Sequence, residues 1–169
     1  MNTRRQGMRE EVIVHPIPPL YRADSEILIL GSFPSVKSRE TAFFYGHPQN
    51  RFWKVMAAVF EDSVPIDVPQ KREFLLRHRV AVWDVIHSCT IRGSSDASIR
   101  DVVANDLTKI LDHASIRKIF VNGKTAEKMY KKYIEPTIGV KAVCLPSTSP
   151  ANAAWKLERL TEAWEAVRG

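Results

Sequence analysis

Three short tracts concentrate the residues able to do chemistry. Gly31-Ser32-Phe33-Pro34-Ser35 follows an apolar run, Tyr45-Gly46-His47-Pro48-Gln49-Asn50-Arg51-Phe52-Trp53 opens a helical pattern, and Pro146-Ser147-Thr148-Ser149-Pro150-Ala151-Asn152 follows a second apolar run. Gly31 and Pro34 suit a tight turn whose backbone N–H groups approach a ligand closely, and Ser32 and Ser35 add hydroxyls. Ordinary turn formation uses the same residue types. Asn50 places an amide directly before an amphipathic stretch, where it can cap a helix or face a ligand. Ser147 and Ser149 can donate to phosphate oxygens. Ser149-Pro150 reads as the N-cap and first-turn proline of the last helix, whose amino end would favour an anion. The tracts read as the mouth of an active site.

Spacing sets several familiar chemistries aside. With glycines only at 7, 31, 46, 93, 123, 139 and 169, the chain has neither a GxGxxG dinucleotide turn nor a GxxxxGK[ST] phosphate loop. No serine sits in a G-x-S-x-G elbow. The five histidines are scattered without an HExxH pair, so no metal and no cofactor are expected. Cys89 and Cys144 cannot build a four-cysteine site and read as separate thiols rather than a disulfide. The apolar runs are far shorter than the ~20 residues that span a bilayer, so no membrane partner is expected. Residues 1–11 carry three arginines and no apolar signal core, which leads us to expect a flexible tail and a cytoplasmic location. A net charge of +6 and a pI near 9.5 make polyanions such as nucleic acid the first partners to consider.

The elements that must position these tracts follow from hydropathy. Ile27 to Leu30, Val80 to Trp83, Ile119 to Val121 and Ala142 to Leu145 lack polar alternation, as expected for parallel strands covered on both faces. Helical stripes lie between them: Phe52, Val55, Met56, Val59 and Phe60; then Ala126, Met129, Tyr130, Tyr133 and Ile134; then Leu157, Leu160, Trp164 and Val167. Ile99, Val102, Val103, Ile110 and Leu111 form a looser stripe that Ser98 would cap. Strands alternating with helices predict a three-layer α/β/α sandwich around a four-stranded parallel sheet, and 169 residues suffice for a single domain over 12–169. The ligand should lie beyond the carboxyl ends of the strands. The loops there are Gly31 to Ser35, Asp84 to Arg92, Asn122 to Lys124 and Pro146 to Asn152.

The tracts GSFPS, FYGHPQNRFWKV and LPSTSPANA resemble the signature regions of the uracil-DNA glycosylase superfamily. The similarity is to its hypoxanthine-DNA (deoxyinosine) glycosylase branch, with mismatch-specific uracil/thymine glycosylases as near relatives, and covers about Ile27 to Trp164. It implies a base-excision repair enzyme that hydrolyses the N-glycosidic bond of a deaminated base and leaves an abasic site. Hypoxanthine is the first substrate and uracil or a G:U or G:T mismatch the alternative. The partner implied is double- or single-stranded DNA, taken up by a monomer. A catalytically silent lesion-binding protein and an enzyme of free nucleosides are the competing classes.

Many superfamily members carry Asp or Asn third in the first signature, where this chain has Phe33, which cannot polarise water. By resemblance, the catalytic role passes to Asn50, an amide that would orient water and offer its carbonyl dipole to the sugar cation. Tyr45 stands where relatives set an aromatic ring against the flipped base, though a core position beside Phe43 or Phe44 is open to it. Gly31, Ser32, Phe33 and Pro34, with Ile86, His87 and Ser88 after the second strand, are expected to line the base pocket. Ser35, Lys37, Lys124, Ser147, Thr148, Ser149, Pro150, Ala151 and Asn152 are expected on the DNA-binding face, with Arg39, Arg92 and Lys156 near it. Relatives place a bulky wedge after the late signature. Here Pro150, Ala151 and Asn152 stand instead, and Asn152 could bond the widowed partner base.

Overall fold

A computed structural model describes residues 9–169. Residues 1–8, most of the expected tail, lie outside the described residues, whereas Glu10 and Glu11 already belong to a strand, β1 (Glu10–Val14). The chain continues through β2 (Ile27–Gly31), α1 (Val36–Thr41), α2 (Phe52–Val59), α3 (Val68–Arg77), β3 (Val80–Asp84), β4 (Ile86–Arg92) and β5 (Arg100–Ala104). It ends through α4 (Thr108–Leu111), β6 (Lys118–Asn122), α5 (Lys124–Tyr133), α6 (Glu135–Ile138), β7 (Val143–Leu145) and α7 (Leu157–Trp164).

The four apolar runs form one sheet in the order β3-β2-β6-β7, with every pairing parallel. Leu28, Ile29 and Leu30 of β2 and Val80, Ala81 and Val82 of β3 are fully buried, which explains their unbroken hydrophobicity. Helices cover this sheet: α3 packs on β3, α5 on β6 and β7, and α2 against α7. Trp164 on α7 and Phe52 on α2 meet edge to face at 5.9 Å.

A second sheet, antiparallel in the order β1-β4-β5, corrects two expectations. The stretch Asp84 to Arg92 is not a loop: β3 passes into β4 with only Val85 between them. The stripe from Ile99 to Leu111 is not one helix either. Val102 and Val103 lie in β5, where β-branched residues fit the ladder, and only Thr108–Leu111 is helical. The last helix also starts later than Ser149-Pro150 suggests. It begins at Leu157 with Lys156 at its N-cap, and 149–155 are turns. Cys89 in β4 and Cys144 in β7 are free thiols.

Candidate active site

The loops at the carboxyl ends of β2, β3, β6 and β7 enclose a cavity of about 470 Å³. This is the size of a small-ligand site. The first tract forms one wall. Ser35 caps α1, its hydroxyl accepting from Ser38 N–H at 3.1 Å, and Ser38 Oγ in turn accepts from Gly46 N–H at 2.9 Å. The turn before α1 is thereby tied to the loop carrying Tyr45. Arg39 donates to the carbonyls of Pro34 (2.8 Å) and Gly93 (3.3 Å), binding the wall to the β4–β5 connection rather than projecting to solvent.

Tyr45 has a left-handed backbone, φ +53°, and its carbonyl accepts from Trp53 Nε1 at 3.2 Å. Its ring stacks on Phe52 at 3.9 Å with an 18° tilt, so one face packs on the core, and the residue also lines the cavity. The Tyr45 hydroxyl is buried without a hydrogen-bond partner. Burial pushes this phenol well above its ordinary range, the charge of Asp84 adds to the effect, and the Asn122 amide opposes it.

Asn50 serves the helix and the cavity together. Its Oδ1 accepts from Phe52 N–H (2.9 Å) and from the Thr148 hydroxyl (2.8 Å), which fixes the amide orientation, and its Nδ2 takes no partner among the described residues. Thr148, fully buried, also accepts from Asn122 Nδ2 at 3.0 Å and donates its N–H to Asn122 Oδ1 at 3.1 Å. Asn50, Thr148 and Asn122 thus link α2, the late tract and β6 through one polar network. The late tract is held from beneath by Arg51, whose guanidinium donates to the carbonyls of Ser149 (2.8 Å), Asn152 (3.1 Å) and Trp155.

Two carboxyl groups also border the cavity, and the expected site residues omitted both. Asp84 closes β3 and accepts from the buried His15 at 2.7 Å. Asp96, after β4, accepts from the Ser32 hydroxyl at 3.3 Å. Although Asp96 is exposed at the rim, partial desolvation by the surrounding wall raises its carboxyl above the usual range, hydrogen bonds from Ser32 and Thr125 act against this, and the charge of Asp84 reinforces it. Ser94 and Ser95 complete that wall. Asp84 and Asn122 fall within the loops that the strand-end rule selects. His15 and the segment 94–96 carry no comparable signal, because a second sheet brings them in.

The family model described as the uracil DNA glycosylase superfamily matches residues 18–168. The chain belongs to this superfamily. It is 33% identical over 158 residues to the hypoxanthine DNA glycosylase of Methanosarcina acetivorans, covering 92% of this chain and 98% of that one. To the hypoxanthine DNA glycosylase of Methanosarcina barkeri it is 32% identical over 137 residues, 80% of this chain and 85% of that one. A solution NMR structure of a candidate uracil DNA glycosylase from M. acetivorans superposes with a TM-score of 0.78 at 31% identity, covering 93% of this chain and 96% of the other. The superfamily fold and the parallel sheet expected from hydropathy are therefore the same.

Within this superfamily frame, Gly31, Ser32, Phe33, Pro34, Ser35, Tyr45, Asn50, Ser147, Thr148, Ser149, Pro150 and Ala151 line the cavity together. Ile86, His87 and Ser88 do not. They lie in β4, with Ile86 fully buried, His87 exposed and Ser88 paired to Val14, because the chain leaves β3 directly into the second sheet. Lys37 and Lys124 are exposed outside the cavity, Lys37 beside Glu40 at 3.6 Å. Arg92 pairs with Glu10 at 3.7 Å. Asn152 also stays outside, its amide donating to Ser147 O at 3.0 Å. The Ser147 and Ser149 hydroxyls accept from the backbone N–H groups of Ser149 and Ala151, so they shape turns where a helix amino end was expected. No helix among the described residues is long and apolar enough to cross a membrane.

Proposed function

We propose that this protein is a monofunctional DNA glycosylase that removes hypoxanthine from deoxyinosine in DNA, acting as a monomer in the cytoplasm. The observation that carries the reading is the cavity itself, which unites Tyr45, Asn50 and the late-tract residues at the strand ends of a superfamily member. The relatives named for hypoxanthine support the choice of base.

The reaction forms a bond between a water oxygen and C1′ and breaks the C1′–N9 bond, whose electron pair leaves with the base. The water gives up a proton to solvent. Extruding the base costs a few kcal/mol and is easiest at a weak pair such as inosine with thymine. Tyr45 then offers an aromatic surface, and stacking of this kind contributes roughly 1–3 kcal/mol per base. Phe33 keeps the wall dry without supplying a polar group. Asn50 is the water-orienting residue: the rotating Thr148 hydroxyl yields one Oδ1 lone pair to the incoming water, while Phe52 N–H keeps the amide in place. An amide cannot take the proton, so catalysis rests on orientation and on a negative dipole beside the sugar cation. Lys37 and Lys124 contribute to a salt-sensitive phosphate-binding surface.

Incubation with duplexes containing deoxyinosine, deoxyuridine or deoxyxanthosine, followed by alkali, tests the reading. Strand scission at inosine that requires alkali is expected, with uracil removed more slowly. Binding without excision, or cleavage of free deoxyinosine as fast as of duplex, overturns it.

A further inference from the structure

We propose that the lysine face of α5 is a second DNA-contact surface, gripping the backbone of the duplex that flanks the lesion on the β7 side of the mouth. The proposal rests on the glycosylase reading above for its partner. Residues 124–141 hold five lysines, Lys124, Lys128, Lys131, Lys132 and Lys141, against two glutamates, Glu127 and Glu135. Half of the chain's net charge of +6 thus sits in this one stretch. All five lysines are exposed, and only Lys131 forms an ion pair among the described residues, with Glu127 at 3.6 Å.

Helix stability does not account for these lysines. Lys131 and Lys132 in the last turn suit the negative end of the helix dipole, but Lys124 opens α5 at the positive end, where a cation is unfavourable. Lys124, Lys128 and Lys132 also repeat at a spacing of four residues, at which like charges weaken a helix. A polyanion laid along the stripe relieves both penalties at once.

The stripe starts at the cavity and leads away from it. Asn122 lines the cavity, and Gly123 (φ +96°) turns the chain into α5 so close to the late tract that a Cβ there would come 3.0 Å from Ser147 Cβ. From Lys124 to Lys132 the helix rises about 12 Å. Each strand of B-DNA carries one phosphate per ~3.4 Å of axis, so the stripe is as long as about three or four phosphates of one strand. The Tyr130 hydroxyl donates to the Val140 carbonyl, which brings the next residue, Lys141, beside the same helix. Burial pushes the Cys144 thiol above its ordinary range, Glu127 adds to this, and Lys124 and Lys131 oppose it, so both lysines flank β7, the edge strand of the parallel sheet.

The experiment measures, across salt concentrations, the binding of an undamaged duplex to wild type and to a joint variant carrying Lys128→Gln, Lys131→Gln and Lys132→Gln. A control carrying Arg79→Gln, Arg117→Gln and Lys118→Gln removes the same charge at the amino ends of β3 and β6, away from the mouth. Each phosphate contact contributes about 0.9 to the slope of log Kd against log salt, so the joint variant should lower the slope by about two to three and the control by less than about one. For a single deoxyinosine, lengthening the flanks from about 4 to about 15 base pairs should lower KM at least about tenfold in wild type and less than about threefold in the joint variant, with kcat the same within about twofold. An unchanged slope in the joint variant, an equal fall in the control, or a wild-type KM indifferent to flank length overturns the proposal. The wild-type comparison stands even where a variant fails to fold. Wild type that binds duplex but leaves deoxyinosine untouched overturns the glycosylase reading, and the slopes then decide the α5 surface by themselves.

Discussion

Replacing Arg51 with methionine removes the fork that holds 149–155 while keeping the apolar stem along the start of α2. Three carbonyls, those of Ser149, Asn152 and Trp155, lose a charged donor at once. Hydrogen bonds to charged groups contribute about 1.5–3 kcal/mol each. The freed carbonyls lie in a surface loop and gain water, which brings the net loss below the ~4.5 kcal/mol that three such bonds give at the lower end, to about 3 kcal/mol in all. For a chain of this size each kcal/mol moves Tm by about 2–4 °C, giving a fall of about 6–12 °C. Arg51→Lys keeps the charge but presents its donors from one point, and should recover only about a third of the loss. Because 147–151 line the cavity, inosine excision by Arg51→Met should fall about 10- to 100-fold at a temperature where the variant is folded. Thermal melts and single-turnover excision read both effects. A variant that melts within about 2 °C of wild type and excises at the same rate would refute the clamp. The turns made by the Ser147 and Ser149 hydroxyls would then suffice.

The other perturbations test separate parts of the network. Asn50→Ala should cost about 1 kcal/mol of stability, the value of a cap, and should also abolish inosine excision; persistent activity with only the stability loss contradicts a catalytic Asn50. Asn50→Asp keeps an acceptor for Phe52 N–H and the Thr148 hydroxyl, and excision equal to or above wild type is expected, since a carboxylate can take the proton that an amide cannot. Away from the site, the Asp62 carboxyl is held well below its usual range by hydrogen bonds from Arg77 first, then His78 and Ser63. A depressed folded value favours the native state above the unfolded value near pH 4, and that contribution is lost on acidification below it. Urea midpoints of wild type should therefore drop further between pH 7 and pH 3 than those of Asp62→Asn.

The parallel sheet was legible because burial on both faces leaves unbroken apolar runs, and Ile27–Gly31, Val80–Asp84, Lys118–Asn122 and Val143–Leu145 lie where those runs predict. The second sheet was not. Four of the five residues of β1 are exposed, so Glu10–Val14 lacks the alternation that marks a half-buried strand. Val102 and Val103 of β5, with Ile99 just before the strand, happen to fit helical spacing, and pairing with β4 overrides it. The site divides in the same way. Most residues of the three tracts line the cavity, whereas Ser94, Ser95 and Asp96 arrive through the unread hairpin, and His15 reaches Asp84 through the strand before it. Ser149-Pro150 has the chemistry of a helix start, yet Arg51, 98 residues away, supplies the contacts that keep the loop open.

The junction between the sheets has a mechanical consequence. Val85 is fully buried, its N–H donates to Gly31 O at 2.8 Å, and its carbonyl accepts from Asn105 N–H at 2.8 Å. One residue thus rivets the floor of the cavity to the hairpin that forms its far wall. The hairpin cannot swing on that joint as a lid, because tilting it would drag Asp84 and the first tract along. The mouth behaves as a cast mould of fixed depth, and the DNA must supply the motion that brings a base into it.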